Sequence, residues 1–292
     1  MQTHQISSNP FTNPCSHTNI HNTNLPRSLP ESQRTVSGKH ILITNASHSP
    51  GPSIALSFAH AGAASIALSN PNPSFLIPLA AALKLINPTC KILAIACDTT
   101  RSSSVAHLFS TIKDAFGKLE IVIANVGTAH WVGNGEDKEE GDRNDEWWDD
   151  TMTNFRSTHL PAHEYIRSFG LYGMEVFISI TAGRKRIGGP GVLPWDMVKG
   201  MDLTLVEFLH AEYPGLKAFS VDTGTLGMVS VDKRAQKYTR DDAELVSVFC
   251  VLLGSGKANR LSGCCVDVTW GLDELEGQGV RVLGKNIGVE EW

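Results

Sequence analysis

Polar and ionisable residues gather just after the apolar runs of this chain. Thr44-Asn-Ala-Ser-His-Ser-Pro-Gly51 closes the first run, Asp98 follows the third, and Asn125-Val-Gly127 ends the fourth. Hydroxyls stand at Ser179 and Thr181 around the end of the fifth, and Asp222 follows the sixth. Asp196, Asp222, His48 and His130 are groups able to carry a proton, and Lys199 supplies a cation four residues after Trp195. Four residues are about one helical turn, so those two side chains are neighbours on a helix. Trp195 itself offers only an indole N–H, which donates a hydrogen bond, accepts none and does not release its proton near neutral pH. His159-x-x-x-His163-Glu164 sets two imidazoles on one helix face at a spacing that metals use. Pro161 between them and the lack of a third ligand favour a polar helix face over a metal site.

The elements that must position these residues are legible as period. Apolar, β-rich runs fall at His40–Thr44, Ser65–Ser69, Lys91–Cys97, Glu120–Asn125, Glu175–Ile180, Leu216–Val221 and Cys264–Val268. Helical spacing fills Ser53–His60, Ser74–Leu85, Ser103–Phe116, Trp147–Phe169, Trp195–Glu212 and Asp241–Leu253. The strand runs are nearly continuous in apolar residues, as in a parallel sheet covered on both faces. Strand and helix alternate throughout, which predicts one α/β, doubly wound domain with a mostly parallel, seven-stranded sheet. Residues 37–292 are assigned to it, and no stretch remains for a second core. Residues 1–36 are polar and without periodicity and read as an arm. Ligands of such sheets bind beyond the carboxyl ends of the strands, where strand order switches. That is where the residues above lie.

Composition excludes several partners. Of the net charge of -5, the stretch 136–150 carries nine acids against two bases, so the remainder is about +2. No basic stripe is present for a nucleic acid. The acidic stretch reads as a solvated loop, with Trp147 and Trp148 packing the start of the next helix. No apolar run approaches the ~18 residues of a membrane span. The six cysteines show no CxxC spacing and read as free thiols of a reducing compartment. The N-terminus lacks an apolar signal region, so the expected location is cytoplasmic.

Thr44–Gly51 resembles the TGxxxGxG turn of the short-chain dehydrogenases/reductases, with Asn45 and Ser49 in place of the first two glycines. Asn45 tolerates the left-handed region and keeps the turn. Further residues follow in family order. Asn125-Val-Gly127 is similar to NNAG, and Trp195-x-x-x-Lys199 fills the YxxxK slot. Asp222-Thr-Gly-Thr-Leu-Gly-Met228 is similar to the loop that closes over the nicotinamide. Asn259-Arg-Leu-Ser-Gly263, followed by Asp267–Leu275, resembles the ending of a fungal branch, whose leader Phe11-Thr12 also matches. The resemblance runs from about residue 11 to 275 and implies a Rossmann-type fold.

The resemblance further implies a cofactor site made of Asn45, Ser49, Pro50, Gly51, Asp98, Asn125, Arg156, Lys199, Leu226 and Met228. Its catalytic set would be Asn154, Lys199, a hydroxyl from Thr181 or Ser179, and Trp195 where the family has its proton-donating tyrosine. A positioned acid contributes about 10²–10⁴ in rate, so another group must act or the rate must fall. Asp196 and His130 are favoured, although Asp196 can equally support the first turn of its helix. Asn125 reads equally as cofactor contact or as a cap on strand-end backbone. Pro71 stands where the branch has an arginine for a 2′-phosphate, leaving Ser69 and Asn70 to bond either cofactor form. NADP is expected from the relatives, with NAD open. The implied function is NAD(P)-dependent redox chemistry on a carbonyl or secondary alcohol of a small, apolar fungal secondary metabolite. The rivals are a non-redox cyclase, dehydratase or isomerase and a non-catalytic relative. Homodimers or homotetramers are expected on the same ground.

Overall fold

A computed structural model describes residues 36–126, 140–181, 193–223 and 241–268, all within one compact unit, Pro26–Val268. The second unit, Met1–Leu25 with Thr269–Trp292, lies outside the described residues, as do most of the arm and the Phe11-Thr12 leader.

Seven strands form the sheet: β1 His40–Ile43, β2 Ser65–Asn70, β3 Lys91–Ala96, β4 Ile121–Asn125, β5 Val176–Thr181, β6 Lys217–Asp222 and β7 Cys265–Asp267. Their order is β3-β2-β1-β4-β5-β6-β7, and every neighbouring pair is parallel. The chain winds outward from β1 to β3, returns to β4 beside β1, and winds out the other way. The switch therefore falls between β1 and β4, where Ile41 pairs with Ile121 and Ile43 with Ile123.

Among the described residues, six α-helices flank the sheet: α1 Gly51–His60, α2 Ile77–Ile86, α3 Ser102–Phe116, α4 Glu140–Gly173, α5 Leu193–Glu212 and α6 Asp241–Gly254. Alternate strand residues feed opposite faces. Leu42, Val122, Phe177 and Ala218 pack with Leu108 and Phe109 of α3, Tyr165 of α4 and Val206 of α5. Ile41, Ile121 and Ile178 alternate with them and are also buried; the Ile121 side chain and the Phe58 ring of α1 both lie close to Gly254 of α6. Lys91 opens β3, a charged residue on the edge strand, which discourages further pairing.

Strand and helix positions follow the periods of the sequence, with one correction. The acidic stretch is not wholly loop, because α4 begins at Glu140 rather than at Trp147. Carboxylates at a helix start are favoured by its dipole, which is why the acids there go into helix. Tyr165, fully buried on α4, donates to the carbonyls of Leu119 (3.0 Å) and Glu120 (2.5 Å) at the foot of β4. This fixes the helix that carries Asn154.

Candidate active site

Two strand ends hold the β1–α1 turn. The Asn125 amide, closing β4, donates from Nδ2 to the carbonyls of Asn45 (3.2 Å) and His48 (2.9 Å), and its backbone N–H donates to Thr44 Oγ1 (3.1 Å). Asn70, closing β2, donates from Nδ2 to Asn45 Oδ1 (3.2 Å) and Ser47 Oγ (2.7 Å), and accepts the N–H of Asn72 (2.8 Å). Asn45 sits at φ 47, a left-handed conformation that its short polar side chain tolerates. Gly51 packs so closely that a Cβ there would lie 2.8 Å from the Ala46 carbonyl and 2.9 Å from Asn125 Nδ2. Of the open alternatives for Asn125, its amide nitrogen takes the bracing one.

A helix starts with four N–H groups that lack intrahelical partners. In α1 these belong to Pro50, Gly51, Pro52 and Ser53. Both prolines lack the N–H, and Gly51 donates its own to the His48 carbonyl (2.7 Å). Ser53 holds the remaining donor, and no side chain caps the helix. Pro50, expected at the cofactor, is buried at the start of α1 and brings no N–H donor there. Ser49 is exposed on the turn.

The other expected cofactor contacts divide. Asp98 Oδ1 accepts from the backbone and hydroxyl of Thr100 (3.0 and 2.6 Å), which shapes the entry to α3. Ser69 and Asn70 are both buried, and the Asn70 amide nitrogen is engaged in the turn. Arg156 is exposed while Asn154 is buried. Two residues rotate a helix by about 200°, so the pair cannot share a face. Leu226, Met228, Gly127 and His130 lie outside the described residues.

The residues expected to be catalytic lie on β5 and on the two helices that flank it. Thr181 closes β5 and pairs in register with Asp222 of β6, while Asn125 pairs with Ile180. Asn154 is buried on α4, and Trp195 and Lys199 lie one turn apart on α5, which packs against α4. Ser179 is sealed in the core and donates to Asp202 Oδ2 of α5 (3.2 Å). Asp202 is a residue that sequence reasoning missed. Burial pushes its carboxyl up to about 7, against the opposing pull of Ser179 and, more weakly, of Thr158 on α4. The Thr158 hydroxyl favours the carboxylate without making a bond of good geometry. Its one sequence signal is position: an acid three residues after Lys199 among Val198, Leu205 and Val206.

His159 and His163 stack on α4 at 6.2 Å between ring centroids, and the neighbouring Glu164 is bonded by Arg167 and Ser168. Burial lowers the His159 pKa first, and His163 lowers it further. No group of three metal-ligating side chains gathers among the described residues.

The short chain dehydrogenase family model matches residues 39–192, more than half of the chain. This chain belongs to that family. Among its relatives, the short chain dehydrogenase tazN of Aspergillus terreus is 25% identical over 275 residues, 91% of this chain and 59% of tazN. This family member therefore spans under two thirds of that relative's length. The short chain dehydrogenase citE of Monascus ruber is 26% identical over 257 residues, 84% of this chain and 86% of citE. The fold is also that of a 3-ketoacyl-(acyl-carrier-protein) reductase from Brucella melitensis complexed with NADH. That structure has a TM-score of 0.67 and 20% identity over 80% of this chain and 97% of the reductase. Among the described residues of this family member, no helix is long and apolar enough to cross a membrane.

Proposed function

We propose that this family member binds a small, apolar metabolite of fungal secondary metabolism at the carboxyl ends of β4 and β5. Thr181, Asn154 and Lys199 are its polar contacts. One observation carries the reading: Thr181 ends β5 beside Asp222, while α4 and α5, which bear Asn154 and Lys199, pack on each other at the same sheet. The fungal short chain dehydrogenases among its relatives support a fungal metabolite as the occupant. Thermal-shift and calorimetric titration with a panel of aromatic and terpenoid ketones and their alcohols tests it. At least one compound should bind, and Lys199→Ala and Asn154→Ala should each weaken it about tenfold, or 1.4 kcal/mol. No binder in the panel, or binding indifferent to both variants, would refute the assignment.

A second reading, NAD(P)-dependent reduction or oxidation of the same metabolite, is favoured by the presence of Asn154 and Lys199 in a family of dehydrogenases. The proton donor separates the two. On the redox reading, Trp195→Tyr raises nicotinamide oxidation on an activated ketone by up to about 10²-fold. On the binding reading, the variant stays flat.

We further propose a homodimer formed through α4 and α5. Phe155, Met201, Leu205 and Phe208 line an apolar groove on that face, and Trp148, Met152 and Phe208 are 42–59% exposed. A contiguous apolar face of this kind matches a second copy of itself about a two-fold axis. Light scattering should find the parent dimeric and Phe208→Asp monomeric with its fold intact. A monomeric parent would remove the proposal.

A further inference from the structure

We infer that this chain has given up dinucleotide binding at the β1–α1 turn and handles its metabolite without nicotinamide hydride transfer. This deepens the metabolite-binding reading and rests on it for the occupant of the cleft.

A pyrophosphate is held at a helix start by backbone N–H groups aimed at it, helped by the positive end of the helix dipole. Here that set is nearly gone. Pro50 and Pro52 have no N–H, and the Gly51 N–H is turned back to the His48 carbonyl at 2.7 Å. One donor of the first four remains, at Ser53. Close backbone approach is obstructed as well, since Ser49 places an exposed side chain where the family has glycine. Gly51 is explained by packing alone, because a Cβ would strike the Ala46 backbone and the Asn125 amide.

The ribose end has changed in the same direction. The last residue of β2 is where an acid would take a ribose diol, or a nearby arginine a 2′-phosphate. Asn70 occupies the place of the acid, and Pro71 follows it. Asn70 is 2% exposed, both of its N–H groups go into the turn, and its oxygen accepts from Asn72. The acid that would take a ribose diol is therefore absent from that strand end, and the amide in its place is committed to the turn. The change at the strand end is constructive for the fold, since Asn70 joins Asn125 in bracing the turn. A turn stabilised from within has less need of an anion to order it.

Calorimetric titration of the full chain with NADPH and with NADH tests this directly. The expected result is no saturable binding below about 1 mM for either. A saturable isotherm below that concentration overturns the inference, and leaves the metabolite reading standing if a panel compound also binds. If no panel compound binds either, it is the metabolite reading that fails. Restoring the turn with Asn45→Gly, Ser49→Gly, Pro50→Ile and Pro52→Ala should create binding at least tenfold tighter than the parent's. Asn45→Gly with Ser49→Gly alone should gain little, because both prolines remain. A folded fourfold variant that still fails to bind would show that the turn is not the obstruction. The parent titration stands even if that variant does not fold.

Discussion

Asp202→Asn should be more stable than the parent near pH 8, by about 2–4 kcal/mol, and indistinguishable from it near pH 4. The carboxyl is 1% exposed on α5, and its hydrogen-bond donor is Ser179. Desolvation raises it from the ordinary 3.8 to about 7. A tenfold change in proton affinity is worth about 1.4 kcal/mol, so a rise of roughly three powers of ten sets an upper bound near 4 kcal/mol.

The sign follows from which state binds the proton. Below about pH 4 the carboxyl is neutral in both states and nothing opposes burial. Between about pH 4 and 7 the unfolded chain releases the proton while the folded chain keeps it. Stability therefore falls as pH rises through that window, and the loss is constant above it. Asparagine keeps the shape, accepts from Ser179 and never ionises. Urea melts of both proteins across this range give the comparison, and the excess stability should appear as several degrees in Tm at the alkaline end. Parallel pH profiles would show that the carboxyl is not the titrating group. The consequence reaches the site, because Asp202 joins α5 to β5 three residues after Lys199.

Much of this was legible in the sequence because its period was strong. Ile41, Leu42 and Ile43 can only be a strand buried on both faces, and the long helical stripes could only cover it. The order of polar stations pointed to the family for the same reason, since each falls where a strand must end. What failed to show was the partner of each side chain. Ser179 and Thr181 are two residues apart on β5, and the sequence does not show that Asp202, arriving from α5, takes the Ser179 hydroxyl. Arg156 matched by spacing in a motif, but helix geometry places it opposite Asn154. Pro50 and Pro52 were visible as letters. Their effect appears only once the Gly51 N–H is found bonded to His48. The sequence offered Asn70 as a polar group at a strand end, but not that its amide nitrogen is engaged inside the turn.

Gly51→Ala is expected to cost about 3 kcal/mol, the larger part of many domains' tolerance for a single change. The new Cβ would stand 2.8 Å from the Ala46 carbonyl oxygen, 2.9 Å from the Ala46 Cα and 2.9 Å from Asn125 Nδ2. Two of these atoms are backbone and cannot rotate away. The third is the amide that holds the carbonyls of Asn45 and His48, so moving it leaves those carbonyls without their brace. Overpacking of about 1–3 kcal/mol and a lost buried hydrogen bond of about 1 kcal/mol therefore act together. Gly200 on α5 provides the contrast, since a Cβ there meets nothing within 4 Å. Gly200→Ala should gain up to about 1 kcal/mol from helix propensity. Denaturant unfolding of both variants against the parent reads the two signs. A loss below about 1 kcal/mol for Gly51→Ala would mean that the turn relaxes around the methyl group, and that Asn125 is a looser brace than its distances imply.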